Sequence, residues 1–363
     1  MHTTFGFIGL GLIGGSVAKA LKKADSDCTI IAYDVDQASL ELAKKENIAD
    51  VITDSINNEF QECDYIFLCT PVSFHHKQLE EIKKIKKASC IITDVGSVKG
   101  SVHTTIADLG LEHCFIGGHP MAGSEKSGYA ASKASLLENA YYILTPTKKV
   151  AEEDIHGLFT IIESMKALPL ILSPKQHDDA TAAISHLPHM LAFSLVNTIR
   201  EKDSDGIMKM IAAGGFKDIT RIASSSPVMW EQISIENNEA LLHMLDCYIE
   251  GMSSLREKIA EKDSAYLNKY FSLAKDYRDS FTTLGNGIIS RTYHLSLYVP
   301  DESGAIAKVS TLFAQNHISI KNIGIVHNRE YEEGALQVEF YDENSLARAT
   351  ALLKEKQYQI FTK

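Results

Sequence analysis

Along the first half of the chain, short apolar runs rich in β-branched and aromatic residues alternate with stretches of helical periodicity. The runs are FGFIGL from Phe5, CTIIAYD (28–34), DYIFLCTPV (64–72), ASCIITDVGS (88–97), CFIGGHP (114–120) and YYILTP (141–146). Runs that are apolar throughout suit strands covered on both faces, so the pattern predicts a mostly parallel, doubly wound α/β sheet over residues 1–172. The character changes at Leu172-Ser173-Pro174-Lys175-Gln176, where Ser173 can cap a helix, Pro174 suits its first position and Gln176 completes a capping box. From 173 to 281 apolar residues fall at helical spacing, as in Ala182, Ile184, Leu187, Leu191 and Leu195, then Leu241, Leu245, Ile249 and Met252. This predicts an all-α domain whose stripes are buried against a second copy, a homodimer. The turn-rich stretch from Thr282 to Gly287 reads as part of a linker over 282–290. Residues 291–363 then alternate as strand (292–299), helix (302–316), strand (318–327), strand (334–341), helix (343–356) and strand (357–361), the order of a ferredoxin-like split β-α-β fold.

Composition narrows the function classes. The 363 residues carry 45% hydrophobic and 23% charged side chains, ordinary for a globular chain with sizeable cores. A formal net charge of -11 argues against nucleic acid or an anionic membrane as partner, yet one Arg in a cleft could still receive an anionic substrate. No apolar run is long enough to span a bilayer, and the N-terminus lacks the features of a signal peptide. The six cysteines are scattered without zinc-site spacing and read as reduced core thiols, which points to the cytoplasm.

The first chemistry-bearing motif is Gly9-Leu10-Gly11-Leu12-Ile13-Gly14, set between the first strand and a helix, with Asp34 ending the second strand. In a Rossmann-type domain the first glycine makes the tight turn, the second admits the pyrophosphate to the backbone, and the third lets helix and strand pack closely. The helix N-terminus then faces the phosphates. A carboxylate at Asp34 accepts hydrogen bonds from a ribose 2′-hydroxyl and repels a 2′-phosphate, so NAD is expected rather than NADP. Thr70 and Pro71, at the end of a later strand, would flank the ribose or nicotinamide.

Two further loops leave strands on the same side: Asp94-Val95-Gly96-Ser97-Val98-Lys99, and the run from Gly117 to Gly128 that holds His119. A histidine beside a dinucleotide site suits proton transfer from a hydroxyl whose carbon gives up hydride. His177, His186 and His189 could suggest a metal, but no carboxylate or cysteine stands at ligand spacing, and no metal is expected. His75 and His76 read as surface or core.

The motifs GLGLIGGS, DVGSVKG, GGHPMAGSEKSG, SHLPH and GGFKDITRIA, in this order over residues 5–281, closely resemble those of the prephenate dehydrogenases. The last seventy residues look like an ACT domain, an amino-acid-sensing module. The resemblance implies oxidative decarboxylation of prephenate, with His119 taking the proton of the 4-hydroxyl and Ser97 orienting that hydroxyl. It implies Arg221 as the receiver of a substrate carboxylate, with His189 and Lys217 nearby, Ser124 and Glu125 at the entrance, and Trp230 beside them. A histidine at position 189 goes with prephenate rather than arogenate in this family. SHLPH argues against the β-hydroxyacid dehydrogenases, and the presence of His119 and Arg221 argues against an inactive sensor. No chorismate mutase segment is expected ahead of Phe5. In the ACT-like part, the turn holding Asp301, Ser303, Gly304 and Ala305 is expected to receive the carboxylate of a feedback effector, L-tyrosine.

Overall fold

The computed structural model describes residues 2–124, 126–281, 293–300, 302, 304–326 and 335–361. Two compact units emerge, Met1–Lys275 and Asp276–Lys363. The first holds an eight-stranded sheet: β1 (Thr4–Ile8), β2 (Thr29–Tyr33), β3 (Val51–Thr53), β4 (Tyr65–Leu68), β5 (Ile91–Asp94), β6 (Phe115–Pro120), β7 (Tyr141–Pro146) and β8 (Leu168–Ile171). Their spatial order is β3-β2-β1-β4-β5-β6-β7-β8. The chain reverses its direction of travel across the sheet after β3, opening a crevice at the carboxyl ends of β1 and β4.

Every pair in the sheet is parallel except β6 with β7. A parallel connection needs a long crossover, normally a helix. Among the described residues between β6 and β7 the chain makes only the short 3-10 turns Tyr129–Ala131 and Ala134–Leu136, so the strand returns antiparallel. The central strands are buried on both faces, and Phe7 and Phe67 stack across β1 and β4 with ring centroids 5.1 Å apart.

Ser173 opens the next helix, Pro174–Thr181, through a complete capping box with Gln176. The rod continues through a π-helical stretch, Ala182–His186, into the helix Leu187–Lys202. That stretch breaks the apolar stripe expected from regular spacing. With i→i+5 hydrogen bonds each residue turns through less than the α-helical angle, and Ile184 is left exposed while His186 is buried. Shorter helices follow, then Pro227–Glu236, Asn238–Glu261 and Ser264–Ser280. Of the second expected stripe, Leu241 is buried but Ile249 and Met252 stand exposed in the single chain.

The second unit carries β9 (Tyr293–Tyr298), β10 (Ile320–Val326), β11 (Ala335–Phe340) and β12 (Ile360–Phe361), in the order β10-β11-β9-β12 with all pairs antiparallel. The helices Ala305–Gln315 and Glu343–Glu355 supply Val309, Phe313, Ala349 and Leu353 to a separate core with Leu297, Leu336 and Val338. The linker over 282–290 lies outside the described residues. Among those described, no helix is long and apolar enough to cross a membrane.

Candidate active site

The site begins at the turn after β1. Gly9 has φ +95°, a conformation that favours glycine, and its N–H donates to the Tyr33 carbonyl at 2.7 Å. A Cβ on Gly14 would lie 2.6 Å from the Gly9 carbonyl oxygen and 2.9 Å from Cys69 Cβ, so only glycine lets the helix Leu12–Ala24 pack this close. A Cβ on Gly11 would meet nothing within 4 Å. Gly11 instead faces open space at the helix N-terminus, where no side chain caps the exposed N–H groups. This arrangement fits a pyrophosphate. Asp34 directly follows β2 and is half-buried, its carboxylate accepting from the N–H groups of Leu10 and Asp36, which aligns it with the glycine turn.

A cavity of about 550 Å³ opens beside this turn, lined by Gly11, Leu12, Ile13, Thr70, Pro71 and Ser97 among others. Ser124 also lines it, and the helix Pro227–Glu236 closes it through Met229 and Ile233. The Thr70–Pro71 corner is fixed from below. His75 is buried, with its Nε2 3.0 Å from the Thr70 carbonyl, and the Thr70 hydroxyl donates to Gln78 at 2.7 Å. Ser97 and Ser124 therefore share one cavity with Gly11, Leu12, Ile13, Thr70 and Pro71. Glu125 lies outside the described residues.

Strand β6 delivers His119. It can approach β5 closely because Gly118 faces it: a Cβ there would lie 2.4 Å from the Asp94 carbonyl oxygen. Asp94 ties the two strands together, accepting from the Gly118 N–H at 3.0 Å and the Gly96 N–H at 2.9 Å. Its remaining partner is Lys99, an ion pair with both side chains at 0% exposure. Lys99 also donates to the Gly118 carbonyl at 2.8 Å. Burial lowers the pKa of the Lys99 ammonium, and the Asp94 charge opposes that shift.

His119 Nδ1 stands 2.7 Å from His177 Nε2, and His177 Nδ1 stands 2.7 Å from an Asp178 carboxylate oxygen. Burial, reinforced by His177, Lys99 and His186, holds His119 well below the ordinary histidine range. It is therefore neutral at physiological pH and able to accept a proton. Burial raises the Asp178 pKa, but hydrogen bonds from His177 and from the Lys99 and Gly100 N–H groups outweigh it, so the carboxyl sits below its usual value. Asn237 completes this layer, donating to the Asp178 carbonyl at 2.9 Å and lying 3.2 Å from His186 Nδ1. Burial pushes His186 down to about 4.

One turn farther along the rod, His189 donates from Nδ1 to the Ser185 carbonyl at 2.9 Å and stacks on Trp230 with centroids 3.8 Å apart. Burial, together with the positive charge of Arg221, lowers its pKa. Arg221 opens a 3-10 turn after the helix Gly214–Thr220, and Lys217 is exposed on that helix, one turn before it. The structure thus brings His189, Trp230 and the charge of Arg221 together. None of His119, His189, Lys217 and Arg221 is in the lining of the 550 Å³ cavity.

Sequence reasoning gave no role to Asp94, Lys99 or Asp178, and weighed His177 only as a metal ligand. Among the described residues no group of three or more His, Cys, Asp or Glu could hold a metal. The available signal was an Asp directly after a His at the start of a capped helix, a place where a carboxylate can meet main-chain N–H groups.

Comparison with known proteins settles the lineage. Residues 17–172 match the family model described as prephenate dehydrogenase, nucleotide-binding domain, and residues 173–273 match that described as prephenate dehydrogenase, dimerization domain. The prephenate dehydrogenase of Bacillus subtilis is 38% identical over 99% of this chain and 98% of its own length. The chain belongs to the prephenate dehydrogenase family. Among solved structures, A. aeolicus prephenate dehydrogenase in complex with hydroxyphenyl propionate and NAD+ is similar at a TM-score of 0.74 and 32% identity, covering 77% of this chain and 99% of that one. Synechocystis arogenate dehydrogenase is similar at 0.69 and 30%, covering 77% and 100%. For this member of the prephenate dehydrogenase family, an NAD-dependent dehydrogenase, the glycine turn and Asp34 are the features that fit the dinucleotide.

Proposed function

We propose that this chain converts prephenate to 4-hydroxyphenylpyruvate and carbon dioxide with NAD+ as hydride acceptor. The observation that carries the reading is a neutral, half-buried His119 at the carboxyl edge of the sheet that also presents the glycine turn, Thr70 and Ser97. When bound, NAD+ supplies the hydride acceptor for carbon 4 of the substrate. His119 takes the 4-hydroxyl proton as the hydride departs. It returns that proton to the oxygen when loss of carbon dioxide makes the ring aromatic, so the phenol keeps its proton. Ser97 holds the same hydroxyl in line. Arg221 receives a substrate carboxylate, since a planar guanidinium matches it with two parallel hydrogen bonds. His189 and Lys217 add to this anion site, and Ser124 and Glu125 are assigned to its entrance by the family resemblance. Trp230 fixes the His189 ring, and its buried indole N–H, which has no acceptor among the described residues, is free for a substrate oxygen.

The test measures NADH formation with prephenate and with arogenate, each paired with NAD+ and NADP+. Prephenate with NAD+ should give by far the highest kcat/KM. Equal or better turnover of arogenate would replace this substrate assignment.

The reading extends to the rest of the chain. Residues 1–172 bind NAD, 173–281 bind substrate and dimerise, 282–290 link, and 291–363 form an ACT domain. Met210, Ile211, Ile249 and Phe271 are exposed apolar residues of the helical part, more than a monomer leaves uncovered, which supports a homodimer. The strand order β10-β11-β9-β12 supports the ACT assignment. Gly304, with φ +88°, opens the helix at Ala305, and the main-chain N–H groups of that helix start support the reading of a site for the carboxylate of L-tyrosine; Asp301 and Ser303 lie outside the described residues. Deleting 291–363 from a chain that stays folded should abolish inhibition by tyrosine while turnover survives. Unchanged inhibition would place tyrosine in the active site.

A further inference from the structure

A carboxylate can only accept hydrogen bonds, and this orders the protons of a neutral His177–His119 pair. Asp178 Oδ1 lies 2.7 Å from His177 Nδ1, so the neutral imidazole of His177 carries its proton on Nδ1 and presents a bare Nε2. That bare Nε2 lies 2.7 Å from His119 Nδ1, so His119 carries its proton on Nδ1 and presents a bare Nε2 of its own. We infer that Asp178 is a positioning residue that, acting through His177, holds His119 in the tautomer whose Nε2 accepts the substrate proton. The inference rests on the reading of His119 as the base.

The surroundings make this setting firm. His177 is fully buried and the His119 and His177 rings meet edge-on with centroids 5.0 Å apart. Asp178 cannot turn away, because Oδ1 also accepts from the Lys99 N–H at 2.8 Å and Oδ2 from the Gly100 N–H at 2.7 Å. The same residue that orders the base thus caps the helix Gly100–Asp108, which follows the loop bearing Ser97. Once His119 takes a proton on Nε2, it becomes a cation whose Nδ1–H already faces an acceptor backed by an anion. No group has to reorient for the transfer.

The opposite tautomer is the inactive one. If His177 lost its carboxylate, it could donate from Nε2 to His119 Nδ1, which would leave the His119 proton on Nε2, where it blocks the substrate hydroxyl. A related tautomer error in a Ser-His-Asp triad costs about 10⁴-fold in kcat.

The experiment reads the tautomer directly by ¹⁵N NMR of histidine-labelled protein, with the His119 ring assigned by its disappearance in His119→Asn. The wild-type ring should show a protonated Nδ1 and a bare Nε2, and a protonated Nε2 there would overturn the proposal whatever the variants do. Three variants then test the dependence. His177→Leu keeps the volume and removes the acceptor, and Asp178→Ala removes the carboxylate. Each should lower kcat by about 10²–10⁴-fold while NAD+ affinity stays within about threefold. His177→Gln is the rescue, because its amide can donate to Asp178 and accept from His119. It should keep the wild-type tautomer and a kcat within about tenfold of wild type, on the same proton-transfer logic. If His177→Leu folds, binds NAD+ and turns over at the wild-type rate, the relay has no role. A purely structural function of Asp178 would lower stability without moving the His119 tautomer. The ring measurement needs no substrate. Failure of the wild-type protein to oxidise prephenate would therefore sink the functional reading and leave the tautomer result standing.

Discussion

Replacing Lys99 by Met tests what the buried ion pair contributes. Lys99 and Asp94 are both at 0% exposure, so the substitution leaves a carboxylate out of contact with water and stripped of its counter-charge. Asp94 keeps only the N–H groups of Gly96 and Gly118, and the Gly118 carbonyl loses a donor at 2.8 Å. Removing one partner of such a pair costs about 3–5 kcal/mol, against a total stability of roughly 5–15 kcal/mol. At about 2–4 °C per kcal/mol for a unit of this size, the unfolding midpoint should fall by about 6–20 °C. The double variant Lys99→Met with Asp94→Leu removes both charges and should be less destabilised than the single one, since no unpaired charge remains. Thermal unfolding followed by circular dichroism gives the midpoints, and NADH formation below the transition gives turnover. Turnover should drop too, because the peptide before His119 loses its anchor. A Lys99→Met midpoint within 2 °C of wild type would show that the pair is not what holds β5 and β6 together, and the reasoning would be refuted.

Four further outcomes follow from the site. His119→Ala should lower kcat by about 10²–10⁴-fold with little change in NAD+ affinity, because it removes the base and leaves the glycine turn intact. In the wild type the neutral ring is the active form and its pKa is depressed, so kcat/KM should hold steady as pH falls through 6.5 and decline only below; a midpoint at or above 6.5 would contradict the buried setting. Arg221→Ala should weaken prephenate binding, by about 2–5 kcal/mol if the bound carboxylate is desolvated, and an unchanged KM would locate the carboxylate elsewhere. Finally, His186 stays neutral in the fold down to about 4 but takes up a proton near 6.5 when unfolded. The unfolded state then binds more protons between those values, so this contribution to stability is intact above about 6.5 and is lost as pH falls toward 4. His186→Gln should flatten that part of the stability profile, and an unaltered profile would clear His186 of the effect.

The sheet and the dinucleotide turn were legible because each rests on local signals: uninterrupted apolar runs, glycines at fixed offsets, an acidic residue at the next strand end. The antiparallel return of β7 was not, since it depends on what the segment between Pro120 and Tyr141 fails to form. The π-helical stretch was also hidden, because SHLPH and its neighbours satisfy an ordinary helical stripe on paper. Asp94, Lys99 and Asp178 escaped for another reason. Charged residues are read from sequence as solvated, and only the approach of β5, β6 and the capped helix turns these three into buried partners. His177 sits fifty-eight positions from His119, a separation no periodicity bridges.

The unbroken rod from Pro174 to Lys202 carries His177 and Asp178 near its start, His186 at the last position of the π-helical stretch and His189 past it. Five residues at the wider pitch retard the winding phase by roughly a quarter turn relative to an all-α rod. That phase decides which way the later histidines face when the earlier pair is locked against the sheet. On the proposed reading, the group that orients His119 and the group that helps receive the substrate anion are set by one angular offset in this rod. Removing a single residue between Ala182 and His186 would re-time the two ends against each other, and a drift in substrate preference reached by shifting the rod at His189 would be transmitted to the proton acceptor at the other end.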